Sequence, residues 1–121
     1  MDIKFDDKLP IYVQIMNSIK KDIVSESLKP GDKLPSVREM SSKFKVNPNT
    51  LQRVYQELER QNITYTQRGT GTFVKEDIAM VSNLKKGMAK EMIDGFINGM
   101  KNLGFSKEEI VKIIQDKLQE E

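Results

Sequence analysis

GDKLPSVREMSSKFKVNPNTLQR, residues 31–53, contains two helix-start signals only a few residues apart. Ser36 and Glu39 form a capping box, S-V-R-E. The serine hydroxyl can accept from a free N–H of the first turn while the glutamate reaches back to the cap. Asn47 is a second N-cap, and Pro48 follows at the first helical position, where its fixed φ and missing N–H do no harm. The helix between them carries Val37, Met40 and Phe44 and must end near Lys45, so it spans about two turns. A helix that short is marginal alone, which makes it a brace for its successor. That successor, PNTLQRVYQELERQ, runs to about Gln61 and sets Leu51, Val54, Tyr55 and Leu58 on one buried face.

Upstream, residues 1–9 read as extended and Pro10 opens a helix. Ile11, Ile15, Ile19 and Ile23 recur every four residues, flanked by Tyr12, Met16 and Val24, so an apolar face extends to about Ser25. LKPGDKLP then breaks the helix: Pro30-Gly31 is a turn pair, and Pro35 pushes Leu34 towards extended geometry. After Asn62 the period shortens. ITYTQ and TFVK, separated by RGTG, predict a two-stranded hairpin that should pack on the preceding helices, because a lone hairpin is marginal in water. From Asp77 the helical period returns, with Val81, Leu84, Met88, Met92, Phe96 and Met100 stepping by three or four over about six turns. KNLGF ends that helix. Ser106 with Glu109 forms another capping box, opening a last helix with Ile110, Ile113, Ile114 and Leu118. The expected fold is mainly α with a small β wing: an N-terminal winged helix-turn-helix over 1–75, then a two-helix C-terminal dimerisation segment over 76–121.

Composition narrows the function. A chain of 121 residues, 37% hydrophobic and 31% charged, holds one small domain and an appendage. No apolar run reaches membrane-span length and no secretory core follows Met1, so a soluble cytoplasmic protein is expected, with no membrane partner. With Cys 0 there is no disulfide or thiolate site; with His 0 the usual proton-transfer and zinc-binding side chain is missing. Enzymes are disfavoured, and no catalytic residue, cofactor or metal is expected. Residues 1–75 carry 13 Lys+Arg against 9 Asp+Glu, net +4, whereas 76–121 carry 7 against 9, net −2. Residues 33–75 alone hold 8 basic and 3 acidic side chains, net +5, which suits a polyanion partner for that part of the chain.

Helix, tight turn, helix and hairpin is the order of a winged helix-turn-helix, whose second helix can enter a major groove. Asn47, Asn49, Thr50, Gln52 and Arg53 place amide, hydroxyl and guanidinium groups near that helix's N-terminus, where free N–H dipoles favour phosphate. Gln52 and Arg53 are the best candidates for reading bases. Asn47 is foremost a cap, and Lys43 and Lys45 would add sequence-blind attraction. In QRGTGT the glycines permit close backbone approach, and Arg68 suits a narrow groove; the same residues also satisfy a tight turn needing positive φ.

IYVQI, LKPGDKLPSVREMSSKFKVNPNTLQRVYQELERQ and RGTGTFV resemble the DNA-binding domain of the GntR family of bacterial transcription regulators, over about residues 10–75. The resemblance implies DNA contacts from Ser36 and Arg38, from Asn47, Asn49, Thr50, Gln52 and Arg53, and from Arg68, Gly69 and Thr70 in the wing. Lys45 and Asn62 stand where the family usually has glycine, and Thr64 where it prefers an aliphatic residue. The short remainder resembles the small YtrA-type subfamily, whose tail serves dimerisation; Val81, Leu84, Met88, Met92, Phe96 and Met100 are the expected interface. Gly95 and Gly99 allow either close helix approach or a kink. The expectation is a homodimeric repressor that binds an inverted repeat in double-stranded DNA, with a small-molecule effector left open. A protein-interaction module whose winged helix no longer reads sequence is the alternative.

Overall fold

The computed structural model describes residues 3–121. Its elements are α1 (Ile11–Val24), α2 (Val37–Phe44), α3 (Pro48–Arg60), β1 (Thr64–Gln67), β2 (Gly71–Val74), α4 (Ile78–Asn102) and α5 (Lys107–Gln119). Each helix start with a side-chain cap lies where local chemistry puts it. The Glu39 N–H donates to the Ser36 hydroxyl at 3.0 Å while the Ser36 N–H donates to the Glu39 carboxylate at 3.2 Å. The Asn49 N–H donates to the Asn47 side chain at 2.8 Å. Ser106 and Glu109 repeat the reciprocal box at 3.2 and 2.9 Å.

The turn between α2 and α3 hinges on Lys45, which is left-handed at φ 56°, ψ 46°; Asn62 after α3 is also left-handed, at φ 60°. These are the two positions where the family that the sequence resembles usually has glycine. Asparagine tolerates this region, whereas lysine sits there at a cost of about 1 kcal/mol. Glu26, at φ 67°, makes the same turn after α1 and was not foreseen.

Ile15, Ile19 and Ile23 of α1, Met40 of α2, and Leu51, Val54 and Leu58 of α3 are fully buried together with Leu34 and Val74. The N-terminal arm is tied to α1 by buried Gln14. Its side chain accepts from the Asp6 N–H at 3.0 Å and donates to the Asp6 and Leu9 carbonyls at 2.9 and 2.8 Å. That arm sets Phe5 edge-on to Phe44, with centroids 6.3 Å apart. Residues 1 and 2 of the expected extended stretch lie outside the described residues.

The hairpin pairs Thr64 with Val74 and Gln67 with Gly71, so Gly71, read as part of the turn, opens β2. It is not limited to two strands in its hydrogen bonding. Gly31 N–H donates to Val74 O, Val74 N–H to Asp32 O and Leu34 N–H to Thr72 O, each at 2.8 Å. The segment read as a helix breaker thus also serves as a docking edge for β2. Thr66 N–H donates to Glu59 at 3.2 Å, fastening β1 to α3.

Two compact units result, Met1–Leu84 and Lys85–Glu121. This division falls inside α4, where Met80, Val81 and Leu84 pack against the first unit's core. Val81 and Leu84, expected in an interface between chains, therefore already have partners in their own unit. In the second unit Ile110 is buried, and a groove of about 460 Å³ opens between Ile93, Phe96 and Ile97 of α4 and Ile110, Val111 and Ile114 of α5. A Cβ at Gly95 or Gly99 would meet nothing within 4 Å, so neither glycine serves close packing within the chain. Among the described residues no helix is long and apolar enough to cross a membrane.

Thr64 is 2% exposed, and its hydroxyl finds no hydrogen-bond partner among the described residues. A buried unsatisfied hydroxyl costs about 1–3 kcal/mol, and valine has nearly the same shape. Thr64→Val should therefore raise the urea unfolding free energy by about 1 kcal/mol; an unchanged or lower midpoint would show that the hydroxyl is satisfied.

Candidate nucleic-acid interface

Helix α3 has two chemically distinct faces. Leu51, Val54, Tyr55 and Leu58 are buried, and the Tyr55 hydroxyl donates to the Pro35 carbonyl, pinning α3 to the residue before the α2 cap. Burial pushes the Tyr55 phenol well above its usual range, and the Glu39 charge pushes the same way, so it remains a donor. On the outward face Asn49, Gln52, Arg53 and Gln56 are all exposed, and their spacing forms one continuous row. Gln56 was missed from the sequence, although its position seven after Asn49 signals the shared face.

Around that row the other expected residues divide. Asn47 is exposed and spends its side-chain oxygen on the cap, which leaves its NH2 free. Thr50 is half-buried beside the row. Ser36 is exposed with its oxygen accepting from the Glu39 N–H, which leaves its O–H and one lone pair available. Arg38 is exposed and makes no ion pair among the described residues. Lys43 and Lys45 are exposed at the end of the brace.

Arg60, by contrast, is consumed. Its Nε donates to Glu57 at 2.9 Å and a second nitrogen donates to the other carboxylate oxygen. Hydrogen bonds from Arg60 and then Gln61 hold the Glu57 carboxyl down to about 2, and the same pairing raises Arg60. This cation is neutralised beside its own helix. Arg53 is treated differently: its guanidinium carbon lies 3.7 Å from the centroid of the Tyr12 ring on α1.

Arg68, Gly69 and Thr70 form an exposed tip, closed by Thr70 N–H donating to Gln67 O at 2.9 Å. Gly69 takes φ 80° and Gly71 φ 138°, a range that side chains resist. At Gly71 a Cβ would also come within 2.6 Å of Lys33 Cε, so the lysine stem lies across the strand. Lys33 thus joins the wing's basic surface, an assignment sequence spacing could not make. In the second unit Met92 is 68% and Phe96 44% exposed, while Met88 and Met100 are half-buried. Ile93 and Val111, 56% and 54% exposed, extend this apolar surface beyond the residues expected.

Glu39 is held below the usual carboxylate range by its hydrogen bonds from the Ser36 N–H and hydroxyl region at the α2 cap. A depressed folded-state value means stabilisation is present above the unfolded value and is lost as pH falls through the folded one. Unfolding free energy of the Glu39→Gln variant should therefore fall less steeply than that of the unsubstituted chain as pH drops below about 4.5. Parallel curves in acid-dependent denaturation would refute this role for the box.

The profile described as "Bacterial regulatory proteins, gntR family" matches residues 11–74. The HTH-type transcriptional regulator YhcF of Bacillus subtilis is 49% identical over 95% of this chain and 95% of its own length. The HTH-type transcriptional repressor YtrA of the same organism is 38% identical over 88% of this chain and 83% of its own. A solved GntR family transcriptional regulator from Listeria monocytogenes superposes with a TM-score of 0.85 at 45% identity, covering 93% of this chain and 98% of that one. AraR(DBD) in complex with operator ORX1 superposes with a TM-score of 0.57 at 28% identity, covering 61% of this chain and 95% of that one.

Proposed function

The chain belongs to the GntR family of bacterial regulatory proteins, and from that premise we propose that it represses transcription by occupying an inverted-repeat operator as a cytoplasmic homodimer. One observation carries the reading of sequence: Asn49, Gln52 and Arg53 stand exposed together on the N-terminal part of a capped helix whose opposite face is buried. A helix so mounted presents amide and guanidinium groups to base edges in the major groove. Arg38, Lys43 and Lys45 flank it and meet phosphates, while Arg68, Gly69 and Thr70 bring the wing against the adjacent backbone. AraR(DBD), the solved neighbour held on its operator, supports the same use of the shared fold.

Dimerisation falls to the second unit. Helix α4 has no buried residue along its length, Met92, Ile93 and Phe96 are exposed, and Ile93 and Phe96 line one groove with Val111 of α5. Exposed apolar surface of this kind favours self-association, and the half-buried Met88 and Met100 lie on the same helix. Two α3 helices would then enter successive major grooves, roughly 34–36 Å apart. An effector, where one exists, would act by shifting that spacing.

Selection of bound duplexes from a random pool should recover a palindrome. On the recovered sequence Arg53→Ala should flatten preference at one position of each half-site by about tenfold, whereas Lys43→Ala should weaken all duplexes alike and reduce the salt dependence. Recovery of no preferred sequence, with affinity insensitive to salt, would favour the protein-interaction alternative. Replacing Met92 and Phe96 with glutamate should give monomers in sedimentation and a large loss of operator affinity; unchanged sedimentation would place the interface elsewhere.

A further inference from the structure

Helix α3 holds two arginines in contrasting states. Arg60 is gripped by both oxygens of Glu57, so its planar fork is already occupied. Arg53 has no carboxylate partner among the described residues and instead sets its guanidinium carbon over the Tyr12 ring, 3.7 Å from the centroid. The chemical consequence differs. A guanidinium donates its five N–H groups in its own plane, whereas a π-face supports it from below. Contact with the ring face therefore restricts where Arg53 sits, while no carboxylate takes up its donors.

The platform itself is fixed. Tyr12 lies in the first turn of α1 and packs partly buried against the core. That turn is stitched by the Val13 and Gln14 N–H groups donating to the Pro10 carbonyl at 3.1 and 3.3 Å. Gln14, one residue pair further along the helix, anchors the arm on the other side. A long exposed arginine otherwise samples many rotamers and loses them on binding. Here the core of the domain, through one aromatic ring, pre-selects among them before DNA arrives.

We infer that Tyr12 is a positioning residue for sequence reading, setting the pose of Arg53 on the recognition helix rather than touching bases itself. The inference rests on the reading of Arg53 proposed above. Three properties follow. The aromatic face is what matters, so phenylalanine should serve. The effect is confined to whichever base pair Arg53 reads. And Tyr12 has nothing to contribute once Arg53 is gone.

The test uses the full chain with the selected duplex and its single-base-pair variants. Arg53→Ala should flatten one position per half-site; Tyr12→Leu should flatten the same position by about two- to fivefold, leaving the others and the salt slope as they were. Tyr12→Phe should behave as the unsubstituted protein, and Tyr12→Leu combined with Arg53→Ala should be no worse than Arg53→Ala alone. Arg53→Ala flattening a position that Tyr12→Leu leaves intact overturns this inference only. Arg53→Ala leaving every position intact, with a palindrome still selected, overturns the reading of Arg53 and this inference with it. A uniform loss across all duplexes in Tyr12→Leu would mean a merely structural role and also overturns the proposal. A measurement independent of variant folding is NMR of the free protein, in which the Arg53 side-chain protons should be displaced upfield by the ring current of Tyr12. Unshifted resonances there would overturn it as well.

Discussion

Everything in the first unit depends on burying Leu51, Val54, Tyr55 and Leu58 of α3 against α1 and α2. A helix has only so many faces. Once that stripe is committed to the core, Asn49, Gln52, Arg53 and Gln56 must stand in solvent on the other side. The side chains equipped for nucleic acid are therefore exposed as a consequence of packing, and the Tyr55 hydroxyl on the Pro35 carbonyl fixes the rotation at which they are shown. Burial of four such side chains is worth several kcal/mol, about 1.5–3 each, which outweighs any cost of exposing a polar row.

The molecule accepts small local costs around that scaffold. Lys45 is held left-handed so that α3 can leave α2 at once, and Thr64 buries a hydroxyl with no partner among the described residues. Each penalty is of the order of 1 kcal/mol, small beside the core but comparable with a share of the net stability of a domain this size. At the turn the departure has a physical return, because a lysine there adds positive charge next to the recognition helix. At Thr64 the structure offers no compensation.

The second unit follows another logic. Helix α5 is capped by Ser106, and each helix carries an exposed pair along its own length, Lys90–Asp94 on α4 and Lys112–Asp116 on α5, which contributes little. Only Ile110 of α5 is buried, and α4 buries nothing fully. Little of the apolar surface of these helices is enclosed within their own unit. The 25-residue helix α4 contributes residues to both units.

The sequence by itself determined the elements and their ends. The Ser36, Asn47 and Ser106 caps and the Pro48 start act over three or four residues, so neighbours in the chain suffice to read them. It also determined the family, because the motifs lie in order at the family's spacing over residues 11–74. Tertiary structure alone decided the rest. The 31–34 edge docked on β2, Lys33 across Gly71, the capture of Val81 and Leu84 by the first core, and Arg53 on the face of Tyr12 all join residues distant in sequence. Periodicity tells which face a side chain occupies, and no local rule tells which far-off surface that face will meet; that is set only when the buried stripes close on one another.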